Sequence, residues 1–359
     1  MAMPLLGHLD PDFTIIMAET QQMLRQAFHT TNPVTFPVSA TGMAGMETCL
    51  VNLIEPGDRV VVGVIGFFGQ RLVEVARRCD AQLTVVERPW GNVLDLDQLR
   101  DTLTNIRPKV LAVVHSETST GTRQPIEQLG KLCHEFDTLL VVDTVTSLGC
   151  VPVHVDAWEI DATFSCSQKG LGCPPGMAPV TFSPRAVEAI QRRKTPVRSW
   201  YFDVSTILKY WGADRAYHHT GPITSVYALR EGLRILLEEG LEARWARQAK
   251  HAAALAAGLT AMGFQYASVE AHRLPQLHAV FVPQGVDDLA VRKQLLSEFG
   301  LEIGGGLGEF KGKVWRIGLM GYGCKTANVT LALAALERAL HGLVPPGAGL
   351  AAALRSYAQ

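Results

Sequence analysis

Charge is scarce in this chain. Only 19% of its 359 residues are Asp, Glu, Lys or Arg, and 33 basic side chains against 34 acidic ones leave a net charge of −1. Without a basic tract, neither a nucleic-acid partner nor attraction to an anionic membrane is expected. Long apolar runs are missing too. Hydrophobic residues make up 47% of the chain, yet no segment approaches the roughly 18–20 uninterrupted apolar residues of a membrane span. The first residues lack a basic start followed by a hydrophobic stretch, so no secretory signal is expected. Cys49, Cys79, Cys133, Cys150, Cys166, Cys173 and Cys324 form no C-x-x-C pair. Scattered, several of them inside apolar runs, they read as buried reduced thiols of a cytoplasmic protein rather than disulfides or zinc ligands. The histidines show no metal spacing either. His218 and His219 are adjacent and on a strand would face opposite ways, and no metal site is expected.

What is present is an alternation. Strand-like runs at 59–64, 83–86 and 110–114 are interleaved with helical stretches at 69–79 and 126–136, continuing to about residue 185. This predicts an α/β fold with a mostly parallel sheet sandwiched by helices. Residues 225–262 read as one long helical spine rich in Ala, Leu, Glu and Arg. Strands at 278–282 and 314–318, and a last helix at 327–340, then suggest a smaller α+β unit. The expected division is 1–240 for a large domain with a short N-terminal segment and 241–359 for a small C-terminal one.

Lys169 lies in a run of small residues, Ser165-Cys166-Ser167-Gln168-Lys169-Gly170-Leu171-Gly172, with no other charge between Asp161 and Arg185. Such surroundings desolvate an ammonium and free the amine as a nucleophile able to form a Schiff base. The segment alone is equally compatible with a structural lysine. Upstream, the apolar run 138–142 reads as a buried parallel strand ending at Asp143. Carboxyl ends of such strands face the ligand crevice. By itself Asp143 fits a helix cap or a turn. Together the two residues match an enzyme that holds pyridoxal phosphate (PLP): the aspartate pairs with the protonated ring nitrogen and the lysine carries the cofactor.

Five separated motifs make the chain resemble, over nearly its whole length, the class V aminotransferases of PLP fold type I, in the alanine–glyoxylate and serine–pyruvate group. In 39–47 a glycine turn opens a helix, whose free amides suit a phosphate; the resemblance assigns that phosphate to Thr41, Gly42 and Met43. In 66–71 it assigns Phe68 to stacking on the ring, where relatives commonly carry tryptophan. In 115–121 Thr118 is implied to bond the ring oxygen. Gln168, beside Lys169, is implied as a further phosphate contact. In 217–220, Tyr217 and Thr220 are implied to reach the partner subunit's phosphate, which makes the active unit a homodimer with shared sites. Arg316, inside the apolar run 314–318, matches the arginine that grips a substrate carboxylate with two parallel hydrogen bonds. Buried there, it needs an acid or a ligand to neutralise it.

The resemblance implies a ping-pong transamination of small amino and 2-oxo acids. Lys169 both bears the cofactor and moves the proton, alanine or serine is the donor, and glyoxylate or pyruvate the acceptor. Segments 5–11, 201–203 and 315–322 are instead similar to the bacterial ureidoglycine–glyoxylate aminotransferases of purine breakdown. That branch typically has glutamine where this chain has His8, a candidate substrate contact, and asparagine where it has Tyr217. The two replacements lean the reading towards alanine or serine. Relatives usually begin well upstream with a Gly-Pro-rich segment that helps close the site, so a truncated start or a different closure is expected. A cysteine desulfurase needs a mobile cysteine, and none lies between Cys173 and Cys324. A PLP lyase on the same scaffold remains a rival, and a non-catalytic binding protein, disfavoured by the lysine, aspartate and arginine together, is a third.

Overall fold

The computed structural model describes residues 5–358. Twelve strands are found among them: β1 (Val34–Val38), β2 (Arg59–Val64), β3 (Gln82–Glu87), β4 (Val110–Val114), β5 (Ser116–Glu117), β6 (Thr122–Arg123), β7 (Leu139–Asp143), β8 (Ala162–Phe164), β9 (Ala178–Phe182), β10 (Leu277–Phe281), β11 (Gly304–Gly305) and β12 (Val314–Gly318). Seven form one sheet in the order β1-β9-β8-β7-β4-β2-β3. Only β9 runs against its neighbours; the other six are mutually parallel. Strands β4 and β7 are buried along their whole length, which is why they read as unbroken apolar runs. Register pairs Val114 with Asp143 and Asp143 with Phe164. Three neighbouring strands therefore release their loops side by side at one edge of the sheet.

The helix Gly42–Leu53 is buried at ten of its twelve positions. It lies so close to β8 that a Cβ on Gly45 would stand 2.9 Å from Phe164 Cβ. Only glycine permits that approach, and it anchors the helix start near the loop that follows β8.

A second, antiparallel sheet has the order β10-β12-β11. It packs with the helices Leu241–Ala261, Asp288–Phe299, Thr326–Ala339 and Ala348–Tyr357. The first hydrophobic core includes residues from Phe13 to Leu241, and the second runs from Ala254 to Ala353. The helix Leu241–Ala261 contributes to both.

The structure differs from the sequence reading in three places. The spine is two helices, Ile223–Glu239 and Leu241–Ala261, broken at Gly240, whose φ of +83° suits a residue without Cβ. The helix at 326–339 is not the last: Ala348–Tyr357 follows a Pro-Pro-Gly turn and packs closely on Leu241–Ala261, where a Cβ on Gly258 would meet Gly349 O at 3.0 Å. Strands β1 and β9 escaped notice because each contains a proline, Pro37 opposite Pro179, and proline weakens a strand signal. All seven cysteines are buried free thiols. No helix among the described residues is long and apolar enough to cross a membrane.

Candidate active site

A cavity of about 220 Å³ opens at the carboxyl edge of β4, β7 and β8. Thr41, Gly42, Met43, Phe68, Thr118, Asp143, Gln168, Lys169 and Arg316 all line it. A larger groove of about 750 Å³, between Arg88 and His272, contains none of these residues.

Asp143 ends β7 and is 4% exposed. Its Oδ1 accepts a 2.8 Å hydrogen bond from Val145 N. Burial pushes its carboxyl up to about 7; the Val145 bond opposes that and Glu117 adds to it. A cationic donor in the cavity would reverse the shift and hold the aspartate ionised. Lys169 is half-buried. It is thus only partly shielded, where the sequence led us to expect a fully desolvated side chain. Beside it, Gln168 Oε1 is buried without a hydrogen-bond partner.

Across the cavity, Thr41 caps the helix Gly42–Leu53 without a side-chain bond to the backbone. Ala44 N donates to Thr41 O at 2.8 Å, and the Gly42 and Met43 amides are left for a ligand. A Cβ on Gly42 would lie 3.2 Å from both Cys166 Cβ and Val145 Cγ2, so glycine is what lets the helix start meet the loops after β7 and β8. Arg316 comes from the second sheet. Alternation along β12 sends Trp315 into the core, where its Nε1 donates to Asp288 (2.8 Å), and sends Arg316 to the cavity. Arg316 Nε donates to Gly305 O at 2.8 Å, and no carboxylate among the described residues lies within ion-pair distance of its guanidinium. Burial lowers its pKa, and only the longer-range charge of Glu117 opposes that.

Residues 5–309 match the family model for aminotransferase class-V. The chain belongs to the class V aminotransferases. It is 41% identical over 378 aligned residues, covering 99% of this chain and 91% of the relative, to the (S)-ureidoglycine–glyoxylate transaminase of Bacillus subtilis (strain 168). It is 40% identical to the alanine–glyoxylate aminotransferase of Callithrix jacchus, covering 94% of this chain and 82% of that one. The crystal structure of an alanine–glyoxylate aminotransferase from Nostoc sp. superposes with a TM-score of 0.93 at 50% identity, covering 94% of this chain and 90% of that one. Enzymes of this class are PLP-dependent, and the fold is fold type I.

The cavity of this aminotransferase fits PLP on its own chemistry. An anionic phosphate suits the free amides at Gly42–Leu53 and the neighbouring Gln168 side chain. A pyridinium suits the buried carboxyl of Asp143, and an aldehyde suits the amine of Lys169. Phe68 offers an aromatic face and Thr118 a hydroxyl. Arg316 is left for a carboxylate.

One buried acid was missed in the sequence. Glu117 is fully buried and accepts four hydrogen bonds: Phe68 N (3.0 Å), Gly69 N (3.1 Å), Ser119 N (3.1 Å) and Ser119 Oγ (2.6 Å). It closes the start of the helix Phe67–Arg78 and thereby sets Phe68. Burial raises its pKa, against the pull of those bonds. The available signal was a glutamate directly after a buried strand, since a fully buried glutamate must be paired.

The structure does not bring His8, Tyr217 or Thr220 to the cavity of their own chain. His8 instead packs edge-on against Tyr217, with ring centroids 5.6 Å apart. Tyr217 is 64% exposed, and Thr220 is exposed as well. His218 and His219 do not point apart. They lie outside any strand, with Nδ1 atoms 2.8 Å apart, and His219 Nε2 is 2.7 Å from Ser39 Oγ.

Proposed function

We propose that this aminotransferase moves the amino group of alanine or serine to glyoxylate, with pyruvate as a second acceptor. The observation that carries the reading is one small cavity holding Lys169, Asp143 and Arg316 together. Among the lining residues Lys169 and Arg316 are the only cations. With Lys169 engaged by the cofactor, one guanidinium remains for one carboxylate, which suits monocarboxylic substrates with short side chains.

Bound PLP supplies the electron sink for the reaction. Lys169 Nζ would take the proton from the donor Cα and pass it to the cofactor carbon, the shift that turns an amino donor into its 2-oxo acid. Asp143 would hold the ring nitrogen and keep it protonated, and Arg316 would fix the α-carboxylate so that Cα comes within reach of the amine. Tyr217 and Thr220, exposed on one subunit, are proposed to complete the phosphate site of a second copy in a homodimer.

A second reading, with (S)-ureidoglycine as the donor, stands on equal support from the relatives. Its basis is the identity to the Bacillus subtilis transaminase over nearly the whole chain. His8 and Tyr217 separate the two readings: an imidazole packed on a phenol presents less amide-like hydrogen bonding to a ureido group than two carboxamides. The deciding experiment adds L-alanine, L-serine and freshly generated ureidoglycine separately to PLP-loaded protein. Bleaching of the visible band by alanine or serine, restored by glyoxylate, supports the first reading. Bleaching by ureidoglycine alone replaces it with the second.

A further inference from the structure

Behind the lysine turn, away from the cavity, lies a buried guanidinium that the chemistry above does not use. Arg244, on Leu241–Ala261, has a side chain 7% exposed. Its Nε donates to Gly149 O (3.1 Å), its Nη2 to Gly170 O (2.7 Å), and its Nη1 meets Glu239 Oε2 at 3.0 Å. Gly170 directly follows Lys169. Gly149 lies in the loop that follows Asp143, and its φ of +79° lets its backbone press against Gly170, so that a Cβ there would stand 3.1 Å from Gly170 O. A planar, permanently charged fork is suited to bind two carbonyls and a carboxylate at once; a lysine presents a point charge without that geometry.

The same Glu239 also holds Arg247, whose Nε and Nη2 lie 2.5 Å and 3.0 Å from its two oxygens. Arg247 Nη1 in turn donates to Cys324 O at 2.6 Å. Cys324 closes the turn that leaves β12, the strand of Arg316. That turn rests on the lysine loop: a Cβ on Gly321 would meet Lys169 O at 3.2 Å and Gly172 Cα at 3.1 Å.

We propose that Arg244 is the positioning residue of Lys169, and that Glu239 and Arg247 extend the clamp to the loop behind Arg316. The amine and the carboxylate fork come from different sheets, and this clamp fixes their separation. The inference rests on Lys169 being the lysine that bears PLP. Arg244 holds two backbone carbonyls and Glu239, and touches neither substrate nor cofactor.

The test uses PLP-loaded Arg244→Lys and Arg247→Gln proteins, with the donor that bleaches the wild-type band. The readouts are kcat and KM, the pH titration of the visible band, and the melting temperature after PLP removal. Displacing the lysine by a fraction of an ångström should lower kcat of Arg244→Lys about 10- to 100-fold and shift the midpoint of its band titration, with KM changed less than about 3-fold. Arg247→Gln should keep the wild-type titration and raise KM for both carboxylic substrates by about 3- to 10-fold. A lower melting temperature in Arg244→Lys with wild-type kcat and titration would mean a merely structural arginine and overturn the proposal. Should Arg244→Lys not fold, Glu239→Gln takes its place, and an unshifted titration there overturns it equally. Borohydride-fixed PLP persisting in Lys169→Ala would instead sink the lysine assignment; a wild-type link at Lys169 with unshifted Arg244→Lys spectra sinks the clamp alone.

Discussion

At the scale of single residues, the site is governed by what burial does to two acids, Asp143 and Glu117. Asp143 is raised to about 7 chiefly by desolvation, so in PLP-free protein it is easier to protonate folded than unfolded. A raised carboxyl contributes stability while it stays protonated and loses that contribution as pH climbs from about 4 through about 7. The melting temperature of PLP-free wild type should therefore fall relative to that of Asp143→Asn between pH 5 and pH 8, and scanning calorimetry reads the difference. A constant difference would show that Asp143 already has a cationic partner. PLP-loaded Asp143→Asn should also turn over far more slowly, because a neutral amide cannot hold the ring nitrogen protonated. Glu117 acts on the backbone instead. Glu117→Gln exchanges one acceptor oxygen for a donor facing amide N–H groups, and should cost about 1–3 kcal/mol of stability and weaken PLP binding through a misplaced Phe68. Urea unfolding and PLP titration measure the two effects. That Lys169 and Asp143 would meet in one cavity was legible in the sequence, because a strand-end aspartate and a lysine in a run of small residues point to the same crevice. Glu117 was not, because its partners, Phe68 and Gly69, lie far upstream in the chain.

At the scale of elements, legibility followed burial. Strands β2, β4, β7 and β12 are apolar because the sheets bury them, and their positions could be read directly. Proline hid β1 and β9, and a single glycine hid the break at 240. Nothing lies within 4 Å of a Cβ placed on Gly240, so the requirement there is its left-handed backbone rather than space. Gly240→Ala should cost about 1–2 kcal/mol from that backbone alone. Gly45 is the opposite case, limited by space: with Phe164 Cβ at 2.9 Å, Gly45→Val should destabilise by about 1–3 kcal/mol and weaken PLP binding by tilting the helix that receives the phosphate. Equilibrium unfolding measures both losses, and PLP titration distinguishes the variants, since Gly240→Ala should leave PLP affinity near wild type.

At the scale of the whole molecule, the cavity joins two separately packed cores, with Lys169 and Asp143 supplied by one and Arg316 by the other. The residues that the family resemblance sends to a neighbouring subunit, Tyr217 and Thr220, are exposed, and so are the large apolar side chains of Leu5, Leu9 and Trp200. A homodimer should cover this surface, and Tyr217→Ala should weaken PLP binding while leaving the subunit fold intact; sedimentation and PLP titration check both parts. The exposure of these apolar residues was not legible in composition, because in the sequence they look like core residues. The claim on which the account depends is that PLP is carried by Lys169. Reducing the PLP-loaded protein with borohydride, digesting it and locating the modified peptide by mass spectrometry tests it. The account predicts a phosphopyridoxyl group on Lys169 in the peptide containing Gln168 and Gly170. The same group on another lysine, or none on Lys169 in protein that retains PLP, would contradict it.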